Sequence, residues 1–307
     1  MRAFIFPGQG SQSVGMGKAL AESSRVAREL FEEVDEALGQ NLARLMAEGP
    51  PDALTLTENA QPAIMANALA TLRAAGIDVA AKAAFVAGHS LGEYTALAAA
   101  GSFDVATAAR LLKLRGRAMQ EAVPVGQGAM AALLGADLDI ARAVAEAAAQ
   151  REVCTVANDN DPSQVVISGH RGAVERALEI AKEKGAKRAV LLPVSAPFHS
   201  PLMEPAARAM EQALADAQIA APSVPLYANF TAAPVSDPAE IRRLLVEQVT
   251  GLVRWRESVA AMAGAGVTHF VEFGGKVLAP MVKRIAPDAQ VTSVVTMADL
   301  DALVREI

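Results

Sequence analysis

One cysteine, one tryptophan and two tyrosines stand in this chain of 307 residues, and no run of about 18 uncharged apolar residues occurs in it. The lone Cys154 has no partner for an intrachain disulfide and cannot build a multi-cysteine metal centre, so a reducing cytoplasm is the expected compartment. Cys154 alternates within Glu152-Val153-Cys154-Thr155-Val156, which reads as a strand holding a buried structural thiol. Without a long apolar run no transmembrane helix is expected. Ala3-Phe4-Ile5-Phe6 is too short for an export signal before Pro7-Gly8 intervenes. Basic residues are outnumbered, 28 against 34 acidic for a net charge of −6, which argues against nucleic acid as the main partner. Neither an internal repeat nor a low-complexity tract is present.

What the chain does have is apolar bulk. Hydrophobic residues make up 52% of it and aromatics only 4%, enough to fill one large core and a smaller one with helices packed on sheet, an α/β fold. Residues 4–6 read as a short buried strand, followed by the turn Pro7-Gly8-Gln9-Gly10 and an amphipathic helix over 23–38. A second unit repeats the order: strand 83–87, tight turn 88–92, helix 93–100 stopping at Gly101. A helix over 105–121 then gives way to Pro124, Gly126 and Gly128, which mark a hinge. From 126 to 195 the pattern is strand 129–134, helix 138–150, strands 153–157 and 164–168, helix 172–184 and strand 188–193. This βαββαβ order is the ferredoxin-like signature. Helices at 201–217, 241–249 and 255–265 and strands at 224–229 and 268–273 then return to the first unit. The expected architecture is a large α/β domain over 1–125 and 196–307, with a small domain, 126–195, inserted and a cleft between them.

Gly88-His89-Ser90-Leu91-Gly92 is a G-x-S-x-G sequence whose glycines permit a sharp strand-to-helix corner that lifts Ser90 into the cleft. The helix N-terminus beside it favours developing negative charge. The alternative is that Ser90 merely caps that helix, with Glu93 completing a Ser-x-x-Glu box, and the two readings are compatible. A nucleophilic serine needs a base, and only His89, His170, His199 and His269 are on offer. Strand alternation turns His89 away from Ser90, His170 opens a loop of the small domain, and His269 lies inside a strand. His199, in the proline-bounded loop Pro197-Phe198-His199-Ser200-Pro201, is best placed. Arg115 sits on an otherwise apolar helix face, and a buried guanidinium needs a carboxylate. That carboxylate is either an internal Asp or Glu or a substrate, and sequence alone leaves both open.

Taken together, Phe6-Pro7-Gly8-Gln9-Gly10-Ser11-Gln12, Gly88-His89-Ser90-Leu91-Gly92-Glu93-Tyr94, Leu114-Arg115-Gly116, Asn158-Asp159-Asn160, Gln164-Val165-Val166-Ile167-Ser168-Gly169 and Pro197-Phe198-His199-Ser200 resemble the malonyl-CoA:acyl-carrier-protein transacylases of bacterial fatty-acid synthesis. The blocks occur in the family's order over nearly the whole chain. The resemblance implies an α/β-hydrolase-like large domain with a parallel central sheet, plus the ferredoxin-like insert. It implies Ser90 as the acylated residue, His199 as its base, and a backbone carbonyl at Gln248 to orient that histidine in place of a triad acid. It further implies the N–H groups of Gln9 and Leu91 as an oxyanion hole, Arg115 as the anchor for the malonyl carboxylate, and Phe198 as the ring that crowds out a 2-methyl branch.

The activity so implied is ping-pong malonyl transfer from malonyl-CoA to an acyl carrier protein, with no metal or tightly bound cofactor. Carrier proteins are typically acidic, and Lys182, Lys184, Lys187 and Arg188 form the densest basic cluster, either a docking patch or an ordinary solvated helix end. The absence of an obvious exposed apolar helix is compatible with a monomer. Other readings are a discrete polyketide or malonate-decarboxylase acyltransferase, a serine hydrolase, against which Arg115 and the insert speak, and an inactive carrier-binding module.

Overall fold

Among the described residues, ten strands sort into two sheets. In order they are β1 (Arg2–Phe6), β2 (Phe85–Gly88), β3 (Gly128–Leu134), β4 (Cys154–Asp161), β5 (Gln164–His170), β6 (Arg188–Leu191), β7 (Leu226–Ala228), β8 (Ala233–Val235), β9 (His269–Phe273) and β10 (Gln290–Val294). The computed structural model describes residues 1–194 and 196–307; Ser195, the last residue of the segment expected to form the insert, lies outside them.

The larger sheet has the order β10-β9-β1-β2-β7-β8, with every pairing parallel except that of β8, which runs antiparallel on the β7 edge. β1 lies between β9 and β2, and all four residues from Ala3 to Phe6 are fully buried, as befits a parallel strand covered on both faces. Alternation divides its side chains between two cores. Phe4 and Phe6 join Phe273 and the helices Arg25–Leu38, Thr57–Ala74 and Val105–Glu121, whereas Ala3 and Ile5 meet Trp255, Val259 and Met262 of the helix Trp255–Gly264.

The smaller sheet is antiparallel, ordered β4-β5-β3-β6, with the helices Leu138–Ala149 and Arg171–Glu183 packed on one face around a third core. The order of its elements along the chain is the βαββαβ read from the sequence. β4 runs past the expected residue 157 to Asp161, because Asn158-Asp159-Asn160-Asp161 is polar yet buried. Its carboxylates tie the small sheet to the rest of the molecule: Asp159 accepts from Arg256 Nε at 3.0 Å and Asp161 from Arg284 Nη1 at 2.8 Å. Asn158 adds a parallel bridge to Val253. Among the described residues no helix is long and apolar enough to cross a membrane.

Candidate active site

The strand-to-helix corner is shaped by its glycines. A Cβ on Gly88 would lie 1.9 Å from the Gly92 backbone, and one on Gly92 would lie 2.3 Å from the Phe6 oxygen, so no side chain fits at either position. Between them Ser90 takes a left-handed φ of 53°, costly for a residue with a Cβ and tolerated because its surroundings fix it. Asn229, just after β7, staples the corner: its Oδ1 accepts from the Ser90 N–H at 2.7 Å and its Nδ2 donates to the Gly88 carbonyl at 2.7 Å. The capping box weighed as the alternative does not form. The helix Gly92–Ala99 has Leu91 as its N-cap residue with no side-chain cap bond, and the strained turn carries the Ser90 hydroxyl into the cleft instead.

There the hydroxyl meets His199. Ser90 Oγ lies 2.7 Å from His199 Nε2, and His199 Nδ1 lies 2.9 Å from the Gln248 carbonyl. A carbonyl can only accept, so Nδ1 carries the ring proton and Nε2 is the free acceptor for the serine O–H. His199 also has a left-handed φ, 54°, in its loop, where Ser200 Oγ donates to the Pro197 carbonyl at 2.7 Å. Burial, followed by the nearby Arg115 charge, pushes the His199 pKa down to about 3. The imidazole is therefore neutral and able to accept a proton throughout the physiological range. The acid limb of kcat/KM is accordingly expected well below pH 5; a limb centred near the ordinary imidazole value of about 6.5 in initial-rate profiles contradicts this.

Of the other three histidines, His170 and His269 lie away from the cavity, whereas His89 lines it but is engaged elsewhere and makes no bond to Ser90. His89 Nε2 pairs with Asn160 Oδ1 at 2.8 Å and its ring tilts against Trp255. His170 Nδ1 accepts from the Val153 N–H, and His269 meets Thr292 within the large sheet.

Arg115, 1% exposed, has no carboxylate within ion-pair distance among the described residues. Its Nη1 donates to Gln61 Oε1 at 2.8 Å, while Nη2 donates to Gln248 Oε1 at 2.7 Å and to Ser90 Oγ at 3.1 Å. Its Nε is buried without a partner, and the guanidinium lies 5.7 Å from the Tyr94 ring centre. Arg115 is thus a desolvated cation held by neutral amides, a hydroxyl and a ring face, with no anion within ion-pair distance among the described residues to balance its charge.

Gln248 does more than the single carbonyl expected of it. From the helix Pro238–Thr250 its Oε1 faces Arg115, while its Nε2 donates to the Ser90 carbonyl at 3.0 Å and to Glu93 Oε2 at 2.7 Å. Glu93 is fully buried, and burial raises its pKa to about 7 against the pull of these bonds. Gln61 and Asn229 went unrecognised in the sequence, while Glu93 and Asn160 entered only as a capping candidate and as part of a matching block. Gln61 sits in a helix that also carries Asn59, Asn67 and Thr71, so no isolated polar side chain marked it as Arg115 was marked.

Ser90, Arg115, His199, Phe198, Leu91 and Gln9 all line one cavity of about 280 Å³. Met119, Met130, Leu192 and Val194 supply apolar lining on one part of the cavity, with Gln12, Thr55 and Asn158 among its polar lining. No described acceptor takes the backbone N–H of Gln9 or of Leu91. No cluster of metal-ligating side chains occurs among the described residues. Of the surface cations noted in the sequence, Lys182 pairs with Glu179 at 3.0 Å.

The chain is similar to known proteins along most of its length. A family model described as an acyl transferase domain matches residues 3–284. The malonyl CoA-acyl carrier protein transacylase of Bacillus subtilis (strain 168) is 46% identical over 288 residues, covering 92% of this chain and 90% of its own. The crystal structure of an acyl-carrier-protein-S-malonyltransferase from Bartonella henselae superimposes with a TM-score of 0.97 at 52% identity, covering 99% of this chain and 98% of that one. A malonyl-transacylase solved in complex with its type II PKS acyl-carrier protein gives a TM-score of 0.97 at 38% identity, covering 100% and 99%.

Proposed function

The chain belongs to the acyl transferase family that contains the malonyl CoA-acyl carrier protein transacylases, and from that premise we propose that Ser90 ferries the malonyl group and His199 serves as its base. The activity is malonyl transfer from malonyl-CoA to the thiol of an acyl carrier protein, supplying fatty-acid synthesis. One observation carries the assignment of residues: a buried guanidinium without an acid partner stands 3.1 Å from a serine oxygen that is itself 2.7 Å from a neutral imidazole. Nucleophile, base and anion anchor thus converge on one cavity.

The steps follow from these positions. His199 Nε2 takes the Ser90 proton as Oγ attacks the thioester carbonyl, and the oxyanion lies against the N–H groups of Leu91 and Gln9. Each such donor is worth about 10²–10³ in rate. Collapse breaks the C–S bond, and the departing thiolate takes the proton back from Nε2. The carrier thiol then repeats the sequence in reverse, giving its proton to His199 and returning Ser90 to the hydroxyl. The Gln248 carbonyl supplies what a triad acid supplies elsewhere, a fixed tautomer and ring plane, without a second negative charge. Arg115 holds the free carboxylate, and Phe198, beside the base, narrows the space at the malonyl C2. The enzyme is read as a cytoplasmic monomer whose inserted unit spans 126–195.

A covalent malonyl-enzyme predicts exchange without an acceptor: labelled CoA should scramble into malonyl-CoA in the absence of carrier protein, and double-reciprocal plots of transfer should be parallel. Intersecting lines with no exchange would overturn the covalent route.

A further inference from the structure

Glu93 is a buried acid to which the steps above give no task. It is 1% exposed, its Oε2 accepts from Gln248 Nε2 at 2.7 Å and from the Asn229 N–H at 3.3 Å, and no cation lies within ion-pair distance among the described residues. Arg115 is equally unpaired, and the two are joined through one carboxamide, since the same Gln248 turns Nε2 to Glu93 and Oε1 to Arg115. A cation and an anion separated by one amide balance each other's charge. A malonyl carboxylate on Arg115 makes two anions against one cation around residues that are themselves 1% exposed, and a buried unbalanced charge is relieved by taking up a proton rather than by persisting.

We infer that Glu93 is a positioning residue that locks the Gln248 amide between itself and Arg115, and that it takes up one proton from solvent when a malonyl carboxylate occupies Arg115. The inference rests on the malonyl-Ser90 reading above. The proton settles on Oε1, leaving Oε2 as the acceptor for Gln248, and returns to solvent when malonyl departs. It is additional to acylation itself, which only moves the Ser90 proton to the thiol. The groups acting on Glu93 are few. Arg115 favours its ionised form, the phenol of Tyr94 lies on its own helix, and the helix carrying Gln248 and the loop carrying Asn229 present only amide groups to it. Burial already holds its pKa at about 7, where a second anion tips the balance.

The test is proton uptake in weakly buffered indicator solution during a single round of malonylation, with intact mass counting acyl groups. The parent should take up roughly three-quarters of a proton per malonyl at pH 7.5 and about a tenth at pH 6, where Glu93 is already protonated. Glu93→Gln should be malonylated with no uptake at either pH. Uptake that instead grows towards low pH places the proton on His199 and overturns the inference, as does full malonylation of the parent with no uptake. The parent's pH trend decides even where Glu93→Gln fails to fold. A parent that gains no malonyl by mass overturns the malonyl-Ser90 reading, and the inference with it.

Discussion

Arg115→Ala is expected to cut malonyl transfer by roughly 30- to 4,000-fold while acetyl transfer holds or rises. The range follows from removing one partner of a buried charge pair, typically about 2–5 kcal/mol. The direction for acetyl follows from the free site. An acetyl group offers Arg115 no carboxylate, yet in the native protein it must share its cavity with a desolvated guanidinium. Alanine removes that cost and leaves room for the methyl group. Arg115→Lys should fall between, because an ammonium keeps the charge but cannot span Gln61 Oε1 and Gln248 Oε1 as the planar fork does. Initial rates with malonyl-CoA and acetyl-CoA side by side check this. Equal losses for both thioesters would make Arg115 a structural residue rather than a carboxylate anchor.

Ser90→Ala should lower transfer by about 10⁴ or more, the scale seen when a nucleophile that acts with its base is removed. The variant should still fold. Alanine in the left-handed corner carries the same backbone strain that Ser90 already carries, and the Asn229 staple uses only backbone groups of the corner. Binding of malonyl-CoA should survive within a few-fold, since the Arg115 anchor remains. Loss of rate with retained binding and an unchanged thermal midpoint separates the missing nucleophile from a damaged fold.

Much of this site could be read in the sequence because its parts break local rules. Two glycines flanking a serine between a strand and a helix announce the corner, and an arginine on an apolar helix face announces an anion. Glu93 was harder. Its spacing from Ser90 matches a capping box, and nothing local shows that the helix begins at Gly92 and that the carboxylate faces Gln248, 155 residues away. The helix Thr57–Ala74 escaped for another reason: it is buried on all sides from Asn59 to Thr71 and contains Pro62, so it shows neither an amphipathic period nor an uninterrupted run. β4 is disguised by four polar residues whose partners, His89, Arg256 and Arg284, come from distant parts of the chain. Local pattern records a turn or a face, whereas pairings between buried polar groups become visible only once the chain is folded.

Where the malonyl group rests between donor and acceptor decides between a covalent malonyl-Ser90 route and any other. The most direct measurement is a brief reaction of the protein with malonyl-CoA, an acid quench, and mass mapping of the peptide containing Ser90, with a second portion chased by carrier protein before the quench. One malonyl on Ser90 that disappears in the chase, at a rate no slower than overall transfer, is the predicted result. A malonyl group on any other residue, or one on Ser90 that the carrier cannot remove, contradicts the account.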